Sequence, residues 1–190
     1  MDPATTLQWT IATVQVPAEL ADFDAVVHQH WPRVFRFALA SLRDHNAAES
    51  LAQDCFLRAW QARERYRGEA SVSTWLMHIA VNLVRDRIRN RRLQFWKRTQ
   101  TMALDMDWVV RSVSDGRATP ESEAAARQQI AAVRAALEDL TEKQRTVFLL
   151  RFVEDMNALE IAAVTGLKEG TVKTHLFRAM QAIRKKLGSK

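Results

Sequence analysis

The chain has 190 residues, a formal net charge of +6 and 47% apolar residues, enough for one large or two small cored domains. A single cysteine, Cys55, excludes an internal disulfide, no basic segment leading into an apolar run opens the chain, and no stretch of about 18 apolar residues is present to cross a bilayer. The expectation is a cytoplasmic protein with no stable membrane insertion. Charge is spread unevenly. Residues 1–30 hold four acids and no Lys or Arg, residues 31–98 hold 14 basic and 6 acidic residues, residues 99–125 hold 2 and 5, and residues 126–190 hold 12 and 7. Two basic blocks around an acidic one fit two modules that face a polyanion, joined by a connector that does not.

Gly and Pro number only 5 and 4. The long runs between them carry apolar residues at helical spacing, so the chain reads as all-α. Residues 1–22 are weakly patterned and read as a tail. A helix from near Asp22 places Phe23, Val26, Val27, His30 and Val34 on one side, and Pro32 is expected to kink or divide it. A second helix, about Ala47 to Arg65, gathers Ala48, Leu51, Ala52, Cys55 and Ala59 on one face, with Phe56 and Trp60 beside it. Gln53, Asp54, Leu57, Arg58 and Gln61 lie away from that face. Gly68 ends this unit, and a loop leads to a third helix that begins near Ser73-Thr74 and runs past Arg92. Along it Trp75, Ile79 and Leu83 form a stripe. Asn82 and Asp86, four apart, share a helical face and could satisfy one another or leave Asn82 for a base edge.

The same helix ends in a basic run. Seven of the fourteen residues from Arg85 to Arg98 are basic and one is acidic. A solvated helix C-terminus accounts for two or three cations. The excess predicts salt-dependent contact with nucleic acid, and aromatic and polar groups beside such a helix suit single-stranded or flipped bases. Phe95 and Trp96 either stack on DNA or close the domain end. Residues 99–125 read as a flexible linker by composition.

From Glu121 a helix runs to about Leu140 with Ile130, Val133, Leu137 and Leu140 as its stripe. Thr141 to Gln144 is a capping box opening a helix with Val147, Phe148, Leu150 and Phe152. Asn157 to Glu160 repeats the device. Residues 157–178 then form a helix-turn-helix pattern: Ala162 is small where two helices cross, Gly166 stands where the turn needs a positive φ, and Val172 packs the second helix on the first. That helix carries Lys173, Thr174, His175, Phe177 and Arg178, side chains suited to a major groove. Cys55, on an apolar face, reads as a packed small hydrophobe. His28, His30 and His45 have no cysteine partner at metal spacing, so no metal and no cofactor are expected.

These segments resemble the bacterial sigma-70 family of RNA polymerase sigma factors. Ala48 to Trp60 is similar to the family's core-polymerase-binding helix. Tyr66-Arg67-Gly68-Glu69, Thr74-Trp75-Leu76, Ile79-Ala80, Asn82, Asp86 and Arg89 resemble its promoter-opening loop and recognition helix. Leu140 to Arg145 with the helix-turn-helix resembles its second DNA-binding domain. The motifs stand in the family's order, and the short acidic linker resembles the extracytoplasmic-function (ECF) subfamily. Thr141 stands where Pro is common, Lys168 where Ser usually caps the recognition helix, and Met77 and Val81 where aromatic and basic residues are more usual.

The resemblance implies two small helical domains, a region 2-like bundle at 23–98 and a region 4-like domain at 121–190, joined by the linker at 99–120. It implies a non-enzymatic polymerase subunit that directs promoter recognition, strand opening and transcription initiation, under an anti-sigma factor. Gln53, Asp54, Arg58 and Gln61 would meet the clamp of the polymerase's largest subunit, with the flap of the second subunit as a further partner. Arg67, Ser71, Ser73, Asn82, Arg85, Asp86 and Arg89 would open and read the minus-ten element of promoter DNA. Lys173, Thr174, Phe177 and Arg178 would read the minus-thirty-five element. An autonomous helix-turn-helix transcription regulator is the alternative, but it would need neither the Gln53/Asp54/Arg58 surface nor the segment from Thr74 to Arg92. A helical DNA-processing enzyme would need clustered carboxylates or a nucleophile with a partner base, and the acids here are scattered.

Overall fold

The computed structural model describes residues 17–95 and 135–188, with side chains described to residue 90 and from 135 to 186, and every regular element among these residues is helical. The described residues form two helical units packed against each other.

In the first unit a 3-10 turn, Ala18–Leu20, buries Leu20, so ordered packing begins before Asp22. Helix α1, Phe23–Leu42, starts where the Asp22 side chain accepts from the Ala25 N–H at 3.0 Å. It ends where Arg43 turns left-handed at φ 56° and returns its N–H to Leu39. Helix α2, His45–Ala62, repeats the start with Asp44 and the Ala47 N–H at 2.9 Å. Each cap satisfies a donor that the first helical turn leaves without a partner. Pro32 neither divides nor ends α1, which is continuous through it. His28, whose carbonyl loses its usual donor to the proline ring, is exposed to water, and the buried Val34, Phe37, Ala38 and Leu39 hold the following turns against the core.

The apolar face of α2 is as patterned: Ala48, Leu51, Ala52, Cys55, Phe56 and Ala59 are buried. Gly68, at φ +71° with open space around its Cβ position, is required by conformation and not by crowding. Helix α3 spans Val72–Phe95. Its deepest side chains are Leu76, Met77, Ala80 and Val84, while Trp75 and Ile79 of the expected stripe are half-buried.

The second unit contains α4, Glu142–Phe152; α5, Ala158–Thr165; and α6, Glu169–Gly188. Both expected capping boxes are formed, Thr141 with Gln144 and Asn157 with Glu160. Gly166 caps α5 in the left-handed region at φ 71°. Val147, Leu150, Ile161, Val164 and Val172 form the centre of this unit, and the helical residues 135–138 are tied to it by Arg145 Nε donating to the Leu137 carbonyl at 2.9 Å. Residues 1–16 and 96–134, which include most of the expected tail, Trp96, the linker and most of the helix expected from Glu121, lie outside the described residues.

Candidate polymerase and nucleic-acid interfaces

The solvent face of α2 follows from the helical period. With every third or fourth residue buried, Gln53, Asp54, Arg58 and Gln61 are left exposed. Two apolar residues share this outer surface: Leu57 is 56% exposed and Trp60 45%. The Trp60 ring is held by an edge-on contact with Phe23 and by the Arg63 guanidinium 3.6 Å from its centroid. Trp60, expected beside the core face, stands half in water, an aromatic next to a polar, mixed-charge strip.

The residues assigned to the minus-ten element divide by environment. Arg67 is exposed in the loop after α2. The loop is braced by Tyr66, whose hydroxyl donates to the Ala70 carbonyl at 2.6 Å. Ser71 caps α3, its Oγ accepting from the Thr74 N–H at 3.2 Å. Ser73 Oγ accepts from Arg33 Nη1 at 2.6 Å. Asn82 does not pair with Asp86: Asp86 bonds Arg89 at 3.2 Å, and Asn82 joins a chain that starts at Arg85. The Arg85 guanidinium donates to Asn82 Oδ1, Asn82 Nδ2 donates to His78 Nε2 at 3.0 Å, and His78 Nδ1 donates to the Val164 carbonyl at 2.9 Å. Only the neutral imidazole with its proton on Nδ1 satisfies both of its contacts. Met77 is fully buried and Val81 is 5% exposed, so neither presents a side chain to solvent.

On α6 the inward residues are Val172, Ala179 and Ile183, and Lys173, Thr174, Phe177 and Arg178 are exposed. Phe177 is 62% exposed. Lys173 is paired with Glu169 at 2.6 Å, and Thr174 Oγ1 donates back to the Gly170 carbonyl at 2.9 Å. Burial pushes the His175 imidazole below its usual range, helped by the nearby Lys143 and Arg178 charges.

A group that sequence patterning did not single out joins the two units. Glu154, between α4 and α5, has a carboxylate with no solvent exposure. It accepts from Arg33 Nε at 3.0 Å and from Arg36 Nε and Nη2 at 3.1 and 3.0 Å. Arg33 Nη2 also donates to the Glu154 carbonyl at 2.8 Å. Burial raises the Glu154 carboxyl above the usual carboxylate range, with Arg36 and Arg33 pulling against it. Arg43 pairs with Glu138 at 2.5 Å across the same boundary. Between the units lies a cavity of about 520 Å3 lined by residues that include Val81, Arg85, Lys143, Leu167 and His175.

Among the described residues no group of three or more His, Cys, Asp or Glu is placed to hold a metal ion, and no helix is long and apolar enough to cross a membrane. Cys55 is buried and unbonded to sulfur, and burial pushes its thiol up to about 12.

Residues 26–94 match Sigma-70 region 2 and residues 130–183 match Sigma-70, region 4. The chain is 30% identical over 170 residues to the RNA polymerase sigma-H factor of Pseudomonas aeruginosa, covering 87% of this chain and 86% of that protein. It is 27% identical over 166 residues to the ECF RNA polymerase sigma factor SigW of Bacillus subtilis, covering 87% and 88%. In fold it is similar to the sigma factor RpoE crystallised with the anti-sigma factor NepR from Bartonella quintana, with a TM-score of 0.68, 20% identity, and 89% and 98% of the two chains covered. A second similar structure is CnrH in complex with the cytosolic domain of CnrY, with a TM-score of 0.61, 23% identity and 88% of each chain covered. The chain belongs to the sigma-70 family of RNA polymerase sigma factors, in its ECF subfamily. It is a sigma factor, a subunit that directs transcription initiation.

Proposed function

We propose that this sigma factor divides its work among three surfaces, and that it has no catalytic activity of its own. The outer face of α2 docks on the clamp of the polymerase's largest subunit. The observation that carries this is Leu57 and Trp60 standing exposed among Gln53, Asp54, Arg58 and Gln61. An aromatic anchor ringed by polar groups is the composition of a protein-binding hot spot. The loop from Arg67 to Ser73, with Asn82, Arg85, Asp86 and Arg89, opens and reads the minus-ten element. A base leaves the stack at a cost of a few kcal/mol, and Asn82, flanked by Arg85 and Arg89, offers amide and guanidinium donors to receive it. Lys173, Thr174, Phe177 and Arg178 read the minus-thirty-five element in the major groove, where α6 presents them on one face.

The protein acts in the cytoplasm on promoter DNA and is held in check by an anti-sigma factor. Of two structures similar to it in fold, one is a sigma factor captured with an anti-sigma factor, and the other is CnrH captured with the cytosolic domain of CnrY. The test of the whole reading is run-off transcription with core polymerase. Core polymerase alone should give no specific product, and addition of this chain should give promoter-dependent transcripts. Sequence-specific footprinting by the isolated chain, with no effect of polymerase, would favour an autonomous regulator.

A further inference from the structure

The cavity of about 520 Å3 between the units has the size of a small-molecule site. Its wall is assembled from Val81 and Arg85 on α3, Lys143 and Val147 on α4, Leu167 in the turn after α5 and His175 on α6. Apolar surface exceeds polar surface on that wall, and Val81, Val147 and Leu167 contribute to it. The polar part is rich in donors. Arg85 gives one guanidinium nitrogen to Asn82, and its other N–H groups remain for a second acceptor. Lys143 is exposed and forms no ion pair with an acid among the described residues, and its charge is felt at His175. His175 Nδ1 is buried without a hydrogen-bond partner among the described residues, a cost that a bound acceptor would remove. Glu142, the one acid on the wall, bonds neither cation among the described residues.

We propose that this cleft is a binding site for a small amphipathic anion, its carboxylate toward Arg85, Lys143 and His175 and its hydrocarbon tail against Val81, Val147 and Leu167. Water alone would solvate the cations and leave the apolar wall wet. A hydrocarbon alone would dry the wall and desolvate charges that have no counter-ion. A molecule with one anionic head and one apolar tail satisfies both halves of the wall. The sign follows from Arg85 and Lys143, which would repel a cation. The single small head follows from the excess of apolar surface, where a sugar or a nucleotide would bury hydroxyls without partners. Arg85 offers a fork of donors and Lys143 a point charge. The neutral His175 imidazole, protonated on Nδ1, adds a donor without a further charge.

The site goes beyond the three surfaces proposed above. Its test uses neither polymerase nor DNA, so its failure would leave the sigma-factor reading standing. Full-length chain is titrated calorimetrically with sodium decanoate below its micellar range, and circular dichroism is read at the end point. The expected result is saturable binding of one decanoate per chain with the helical signal unchanged. Each methylene removed from the tail should weaken binding by up to roughly fourfold. Decanol should bind more weakly, and decyltrimethylammonium should not bind. Lys143→Ala, at an exposed position, should weaken decanoate roughly tenfold, the worth of a charge-assisted bond. Leu167→Trp, which narrows the cleft from its half-buried edge, should weaken it as well. Histidine-selective NMR of the unmutated chain locates the site without relying on any variant to fold. The signals of His175, assigned by their loss in His175→Gln, should move on saturation, and those of exposed His28 should not. The proposal is overturned by the absence of saturable binding or by uptake that comes with loss of helix. It is equally overturned by decanol or decyltrimethylammonium binding as well as decanoate, by a folded Lys143→Ala chain that binds unchanged, or by His175 signals that stay in place at saturation.

Discussion

His78 Nδ1 lies 2.9 Å from the carbonyl oxygen of Val164, 86 residues away in sequence. This bond joins the helix assigned to the melted strand to the first helix of the helix-turn-helix. On the other ring nitrogen Asn82 is 3.0 Å away, so the side chain assigned to an unpaired base is already engaged inside the free protein. If Asn82 receives a base as proposed, capture must exchange those bonds for bonds to DNA.

Asn82→Ala should leave recruitment to the upstream element nearly intact and impair strand opening. Arg178→Ala should do the reverse, weakening recruitment by roughly 1–3 kcal/mol, the worth of a good major-groove base contact. Footprinting of the polymerase complex reports recruitment, and permanganate reactivity of unpaired thymines reports opening. Normal opening by Asn82→Ala on every promoter tested would remove α3 from the melted strand.

Asn157→Ala should cost about 1 kcal/mol of stability. The Asn157 side chain accepts from the Leu159 and Glu160 N–H groups at 2.9 and 3.0 Å, and Glu160 returns a bond to the Asn157 N–H at 2.7 Å. Urea unfolding gives the value. Asn157→Asp, which keeps the acceptor, should stay close to the unmutated chain; equal losses in both variants would mean that the cap contributes little.

That cap was legible because it is local. Asn157 and Glu160 stand three positions apart, as do Thr141 and Gln144, so residue type and spacing suffice. Gly166 was legible for the same reason, since one residue type tolerates the left-handed turn. The stripe from Ala48 to Ala59 came from period alone, and the exposure of Gln53, Asp54, Arg58 and Gln61 came with it. The partners of Asn82 were not legible. Asp86, His78 and Arg85 all lie within helical reach, and Asn82 bonds the last two while Asp86 turns to Arg89. Glu154 was further from reach: its partner Arg36 is 118 residues away, and no local pattern announces it. Pro32 is compatible with a kink or a division, and of these the division does not occur, because α1 runs through it with Val34 and Phe37 packed in the core.

Met77→Leu should change stability by less than about 1.5 kcal/mol, as a volume-conserving swap in a core does, and should leave promoter choice unaltered. Met77 is fully buried in the first unit and touches no solvent. Transcription from a promoter library compares the two chains, and a shifted promoter preference would show that this position faces DNA in the working state.

Stability should fall as the pH drops below about 6.5. His30 and His175 are both held below the usual 6.5, chiefly by burial, with Arg33 beside the first and Lys143 and Arg178 beside the second. A depressed histidine stays neutral in the folded chain while the unfolded chain takes up the proton, so its contribution is full above 6.5 and declines on acidification. Glu154 acts in the opposite sense: its raised carboxyl favours the folded form below the usual 4.5 and loses that contribution as pH rises through its folded value. Urea midpoints at pH 7.5 and 5.5 should differ less in His30→Gln with His175→Gln than in the unmutated chain; an unchanged difference would clear both histidines of the effect.

In the proposed division of surfaces, the outer face of α2 carries the docking on core polymerase. Asp54→Lys combined with Arg58→Glu reverses two exposed charges beside Leu57 and Trp60 without touching the buried stripe. Binding of this variant to core polymerase, measured alongside its helicity by circular dichroism, should be lost while the helical signal is unchanged. A variant that stays folded and binds core polymerase as the unmutated chain does would contradict the assignment of this surface.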